Sequence, residues 1–324
     1  MSTSRIGINR RLFLKAAAPF PLSLPAIVRG QVVIERGRFS EADLPWARNR
    51  LLELANGERS TAGLSLLELD DLACKVANEH ARDMVTGQFL SHWGSDGRKP
   101  YQRYSFAGGI DATQENAGRA DNIESVTPYG VARDLADMHT AMYLETPPND
   151  GHRRAILFPP HTHVGFGIAL RDHNLRLVEI YVSRYVHVNP VQRRAKHKAT
   201  VLLTGRLRNA KHFLREVDVC YDPLPTPPDE NWLRTLRSYS LPDDFVALRP
   251  RTTPGTRYND GTRETTTVTI MDGFAYRSSS TKTRRGFTRS CSGSEERQPK
   301  KHFRRQGFAF RVNEKRNVQL AAGF

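Results

Sequence analysis

An α+β fold is predicted by the order in which two hydrophobic patterns appear along the 324 residues. Apolar side chains recur at helical spacing in three segments between residues 41 and 144, and two runs with strand character follow between 164 and 185. From Ala199 onward short β-branched runs alternate with proline-rich loops, the texture of a small all-β module.

The first helix is expected over 41–56, with Leu44, Ala47, Leu51, Leu54 and Ala55 on one face and Gly57 closing it. The second is expected over 69–86. It buries Leu69, Leu72, Ala73, Val76, Ala77, His80 and Met84, carries Asp70 and Asp71 at its N-terminal end, and stops at Gly87. A Gly/Ser/Asp-rich loop then runs from Phe89 to Gly109. The third helix is expected over 129–144 and is broken by Thr146-Pro147-Pro148-Asn149-Asp150-Gly151, after which a short helix reaches Leu157. Val164–Leu170 and Leu177–Tyr185 form a hairpin across Asp172-His173-Asn174. Strands are expected at Thr200–Leu203, Val217–Tyr221 and Thr265–Met271 within a β-rich, sandwich-like module over 199–276, with Arg193–Lys198 as a solvated linker. Residues 277–306 are Ser/Arg/Lys-rich with almost no aliphatic side chains, and a basic disordered tail is expected over 277–324.

The net charge of +15 is concentrated at the ends. Five Lys/Arg without an acid occupy residues 1–30, and residues 281–324 hold twelve Lys/Arg against three acids, which leaves the intervening chain close to neutral. A groove that tracks phosphates would need that charge on the folded domain, so a nucleic-acid partner is not expected. Residues 1–30 read as an export signal. Arg10-Arg11-Leu12-Phe13-Leu14-Lys15 resembles a twin-arginine motif, and the apolar stretch after it is too short and proline-broken to span a membrane. A periplasmic or extracellular location follows, with no transmembrane segment expected once the signal is removed. Cys74, Cys220 and Cys291 are too few and too scattered for a disulfide framework, and none lies in a nucleophile motif.

Three short segments carry the chemistry: Ser91-His92, Gln114-Glu115-Asn116-Ala117-Gly118 and Gly151-His152-Arg153-Arg154-Ala155-Ile156-Leu157. Imidazole beside carboxylate can ligate a metal, work as an acid–base pair or form a buried polar network. In the last case His92 and Glu115 would bond each other and hold the loop 87–118 on the sheet. His161-Thr162-His163 has strand spacing that would put both imidazoles on one side. His80 and His139 read as core histidines, and Gly165-Phe166-Gly167 as a close-packed strand, because no phosphate-binding helix follows it. No His-Glu-x-x-His or Gly-x-Ser-x-Gly is present.

These residues resemble a known family. Leu51–Arg59 and Leu72…Ala77-Asn78-Glu79-His80-Ala81-Arg82-Asp83-Met84 look like the opening helices of the CAP superfamily of cysteine-rich secretory, antigen 5 and pathogenesis-related proteins. Ser91–Gly97, Gln114–Gly118, Gly151–Leu157 and His163–Gly167 are similar to its bacterial branch, in order, over residues 41–187. The resemblance implies an α-β-α sandwich with a central antiparallel sheet and a cleft lined by two histidines and two glutamates. His92 matches the first histidine and Glu115 the first glutamate. Glu145 falls where the second glutamate lies, beside the insertion Pro147–Asp150. The second histidine is replaced by Pro160, with His152, His161 and His163 as substitutes and His152 favoured. Zinc or another divalent cation is the cofactor that His92, Glu115 and His152 would hold. The expected activity is binding of a small or lipid-like ligand, or of such a cation, in the cleft. A metal-assisted hydrolase acting on a cell-envelope substrate and an extracellular adhesion or scaffold protein are the alternatives.

Overall fold

A computed structural model describes residues 37–190 without interruption and, beyond them, 200–209, 212–222, 224–242 and short strand segments between 245 and 322. The export signal, the linker Arg193–Lys198 and Cys291 lie outside the described residues. The elements are α1 (Leu44–Thr61), β1 (Glu68–Leu69), α2 (Asp71–Thr86), α3 (Pro100–Phe106), β2 (Ala112–Ala120), α4 (Pro128–Tyr143), α5 (Gly151–Ile156), β3 (His163–Arg171), β4 (Asn174–Ser183) and β5 (Val186–Val188). After them come β6 (Thr200–Leu207), β7 (Phe213–Asp222), α6 (Glu230–Leu233), β8 (Phe245–Arg249), β9 (Arg263–Glu264), β10 (Val268–Ile270), β11 (Gly273–Ser279), β12 (Arg305–Asn313) and β13 (Asn317–Ala322).

The first sheet has the order β1-β3-β4-β2, antiparallel except for β1 against β3, so β2 is an edge strand. Alternation along its strands feeds two separate cores. Val164, Phe166 and Ile168 of β3 with Leu175, Leu177 and Tyr181 of β4 pack under α1, α4 and α5. Val178, Ile180 and Val182 of β4 with Ala117 of β2 pack against α2 and Tyr104 of α3. The result is the helix–sheet–helix sandwich. Gly165 and Gly167 make the second layer possible: a Cβ there would lie 2.2 Å from the Cys74 nitrogen and 2.0 Å from the Ala77 carbonyl carbon. Only glycine lets α2 approach the sheet that closely.

Helix ends follow local chemistry where it is strong. The Asp70 carboxylate accepts the Ala73 N–H at 2.6 Å and starts α2, and the Thr127 hydroxyl accepts the Gly130 N–H at 3.3 Å and starts α4. Gly57, in contrast, does not end α1, which runs on to Thr61. The reason is tertiary. Arg59 is fully buried and donates to the carbonyls of Ser65, Ile156, Phe158 and His161, which holds the last turn in place. Two of the elements around the site, α3 and β2, escaped the sequence reading. The expected loop 89–109 contains α3, which opens on Pro100 with the Gln102 amide accepting the Lys99 N–H at 2.9 Å. Glu115 and its neighbours lie on the nine-residue strand β2, whose polar composition hides its register.

The remaining strands form two further sheets, β10-β11-β6-β5 and β13-β12-β7-β8-β9. The disorder expected for 277–324 falls in large part on residues outside those described. β12 and β13 lie within that range, and they coincide with the apolar alternations Phe308-Phe310-Val312 and Val318-Leu320. No helix among the described residues is long and apolar enough to cross a membrane.

Candidate functional site

Glu115 is the centre of the site. Its side chain has no solvent exposure and points from β2 toward α2 and α3. His92 Nδ1 lies 3.0 Å from Oε1, and Arg103 of α3 donates to Oε2. Arg103 also donates to the carbonyls of His92 and Arg98, both at 2.8 Å, so one guanidinium neutralises the glutamate and fixes the loop that presents the histidine. Burial alone would raise the Glu115 pKa, but Arg103, with His80 and His92, more than reverses this and holds it at about 2. The carboxylate is therefore a permanent anion that orients His92 through Nδ1 and leaves Nε2 as the ring nitrogen outside that bond.

His80 of α2 lies behind this pair, with Nε2 2.8 Å from the Ser91 carbonyl oxygen and 3.9 Å from Glu115 Oε1. Burial and the nearby Arg103 lower its pKa to about 4, so it is neutral and donates from Nε2. Its buried Nδ1 meets no hydrogen-bond partner among the described residues. Tyr239, 124 residues from Glu115 in sequence, reaches the same place from beyond β7. Its hydroxyl accepts the Glu115 N–H at 3.0 Å, and its ring stands edge-on to His92 at 4.9 Å. Burial and the Glu115 carboxylate push the phenol pKa up, so it stays neutral. His92, with 18% of its side chain exposed, keeps access to solvent while Glu115 has none.

The other expected site residues form a second pair. Glu145 Oε1 lies 2.5 Å from His152 Nδ1, and Oε2 accepts the His152 N–H at 2.9 Å at the start of α5. This pair is tied to β2 through Asn116, which donates to the His152 carbonyl at 3.2 Å and points to the opposite face from Glu115. His161 precedes β3, so strand alternation does not apply to it. It is buried between Ser183 Oγ at 2.9 Å and Gln114 Oε1 at 3.0 Å, stacks on Tyr181, and is held down to about pH 3 by burial and Arg59. His163 instead contacts Thr162 Oγ1 at 2.8 Å and lies 3.8 Å from Glu68 Oε2. The two imidazoles do not share a site.

His92 and Glu115 are suitable zinc donors by type, but their arrangement does not fit a cation. Arg103 holds the second oxygen of Glu115 with a positive charge, and Glu145 and His152 are engaged with each other. Among the described residues no group of three or more His, Cys, Asp or Glu is placed to hold a metal.

A second buried carboxylate, which the sequence reading did not single out, lies on the far side of the sheet. Glu179 of β4 is 2.6 Å from His139 Nδ1, and His139 Nε2 is 2.9 Å from Glu58. Tyr181 Oη and Asn116 Nδ2 also donate to Glu179, at 2.8 and 3.1 Å. Burial lowers the His139 pKa, but the two carboxylates outweigh it and raise it to about 10. His139 is thus an imidazolium locked between anions.

The sandwich, with a histidine–glutamate pair at one edge strand, defines an α-β-α domain. The profile of the cysteine-rich secretory protein family, CAP, matches residues 52–185, so the chain carries a CAP domain over that stretch. The Bacillus subtilis protein YkwD is 27% identical over 119 residues, a match spanning 36% of this chain and 40% of YkwD. Among solved structures, an outer surface protein of Borrelia burgdorferi is 18% identical, covering 47% of this chain and 99% of that one at a TM-score of 0.36. An extracellular SCP-domain protein of Bacillus anthracis is 21% identical, covering 46% of this chain and 45% of that one at a TM-score of 0.34.

Proposed function

We propose that the chain is an exported binding protein whose CAP domain takes a small or lipid-like ligand at the His92–Glu115 cleft. The observation that carries this reading is the ion pair of Glu115 with Arg103. A carboxylate held near pKa 2 does not donate a proton at neutral pH, which argues against its use as a general acid. It serves to orient His92, the member with solvent access, as a hydrogen-bonding group. The ring of Trp93, the residue that follows His92, suits an apolar ligand body. The export signal read from residues 1–30 supports a periplasmic or extracellular site of action.

Native mass spectrometry of protein recovered from the export compartment tests the reading. An organic ligand is expected on the wild type, and its occupancy should fall in His92→Ala and in Glu115→Gln. Stoichiometric zinc in its place, lost in both variants, would favour the divalent-cation alternative. No bound species in the wild type, with both variants less stable to heat, would leave the pair a structural lock and overturn the proposal.

A further inference from the structure

The segment following β7 lies across the face that carries His92. Tyr101 Oη and Gln102 Nε2 donate to Asp222 at 2.9 and 2.6 Å, which fixes the start of the segment on α3. Thr226 then passes over the turn at Gly97 so closely that a Cβ on that glycine would lie 2.1 Å from the Thr226 carbonyl oxygen. Gly97, at φ 81°, is the residue type such a backbone-on-backbone crossing requires. Trp232 sets its ring edge-on to Trp93 at 5.1 Å, and Leu233 is buried in the core beneath α2 and α3. Tyr239 completes the path at His92 and Glu115.

We infer that the segment from Leu224 to Tyr239 is a cis-acting cover of the cleft, seated in this structure and displaced when a ligand enters. The inference rests on the binding role proposed for that cleft. Its contacts are the Thr226 backbone crossing and the separate side chains of Trp232, Leu233 and Tyr239, and its regular structure is limited to the single turn of α6. Leu236, 73% exposed, shows how little of the intervening chain is anchored. Segments held in this way open locally without unfolding the sheet. Tyr239 also indicates what replaces it. It presents an oxygen acceptor to the edge-strand N–H of Glu115 and an apolar ring edge to His92. A ligand carrying an oxygen acceptor on a flat or aliphatic body meets the same two requirements.

Diethyl pyrocarbonate labelling of imidazoles, read by peptide mass spectrometry on the full chain, tests this without any ligand. His92 is expected to react more slowly than the exposed His187 in the wild type. In Tyr239→Ala it should react about tenfold faster, the population change expected when one hydrogen bond and a ring contact are lost, while His187 is unchanged. An unchanged His92 rate in that variant overturns the inference. Should Tyr239→Ala fail to fold, hydrogen exchange of the wild type decides. Exchange in residues 228–240 ahead of β3 and β4 supports a cover that opens, and exchange in step with those strands overturns it. Neither readout depends on ligand binding, so the binding proposal can fail independently.

Discussion

The two faces of the first sheet each bury one glutamate with no side-chain exposure, and they neutralise it differently. Glu115, facing α2 and α3, is paired with Arg103. Glu179, facing α1 and α4, is paired with a histidine that is charged only because two carboxylates hold its proton. The Glu179 face is sealed by long helices. The Glu115 face is covered by α2 and, around the carboxylate, by a loop, the short helix α3 and an irregular segment, and it leaves His92 partly exposed. Similar buried anions thus sit in different settings, fully enclosed on one side and beside a partly exposed histidine on the other.

The comparison is broken most severely by His139→Ala. Removing the imidazolium leaves Glu179 and Glu58 facing each other, and a loss of about 3–5 kcal/mol in urea unfolding is expected. Arg103→Leu should cost somewhat less, about 2–4 kcal/mol, since it leaves a single buried carboxylate. Adding Glu115→Gln to Arg103→Leu should recover part of that loss, whereas the same glutamine in an otherwise wild-type chain should not stabilise it. A double-mutant cycle measures the difference, and strict additivity would deny the pairing.

The pH dependence separates the faces further. His139 has a folded pKa raised from 6.5 to about 10, so its contribution is complete below pH 6.5 and is lost as pH rises toward 10. Glu115, depressed from 4.5 to about 2, contributes fully above 4.5 and loses its contribution as pH falls toward 2. His80, depressed from 6.5 to about 4, acts in the same direction on the acid side, since the unfolded chain takes up its proton first. Melting temperatures from pH 6.5 to 10 should therefore fall in the wild type and flatten in His139→Ala. An equal slope in both would assign the alkaline loss elsewhere. The smallest effect is expected for Tyr239→Phe, about 1 kcal/mol, because water can replace the hydroxyl at the edge strand once the segment lifts. Faster amide exchange confined to β2 would show it.

Much of the sandwich was legible because its signals are local. The periods of α2 and α4, the turn at Asp172, the glycines of β3 and the pairing of His92 with Glu115 all depend on residues near in sequence or on recurring motifs. α1 outran its apparent stop at Gly57 because Arg59 is anchored on carbonyls 97–102 residues away. No local pattern marks Arg103, Glu179 or Tyr239 as partners of buried polar groups, since these pairings span 12, 40 and 124 residues. The sequence by itself determined the layers and brought His92 and Glu115 forward as a pair, because periodicity and spacing are properties of neighbours. Which cation meets each buried carboxylate, and which histidine keeps solvent access, was decided only by the tertiary structure. A buried charge is satisfied by whatever the fold brings within hydrogen-bond reach, and chain separation places no limit on that.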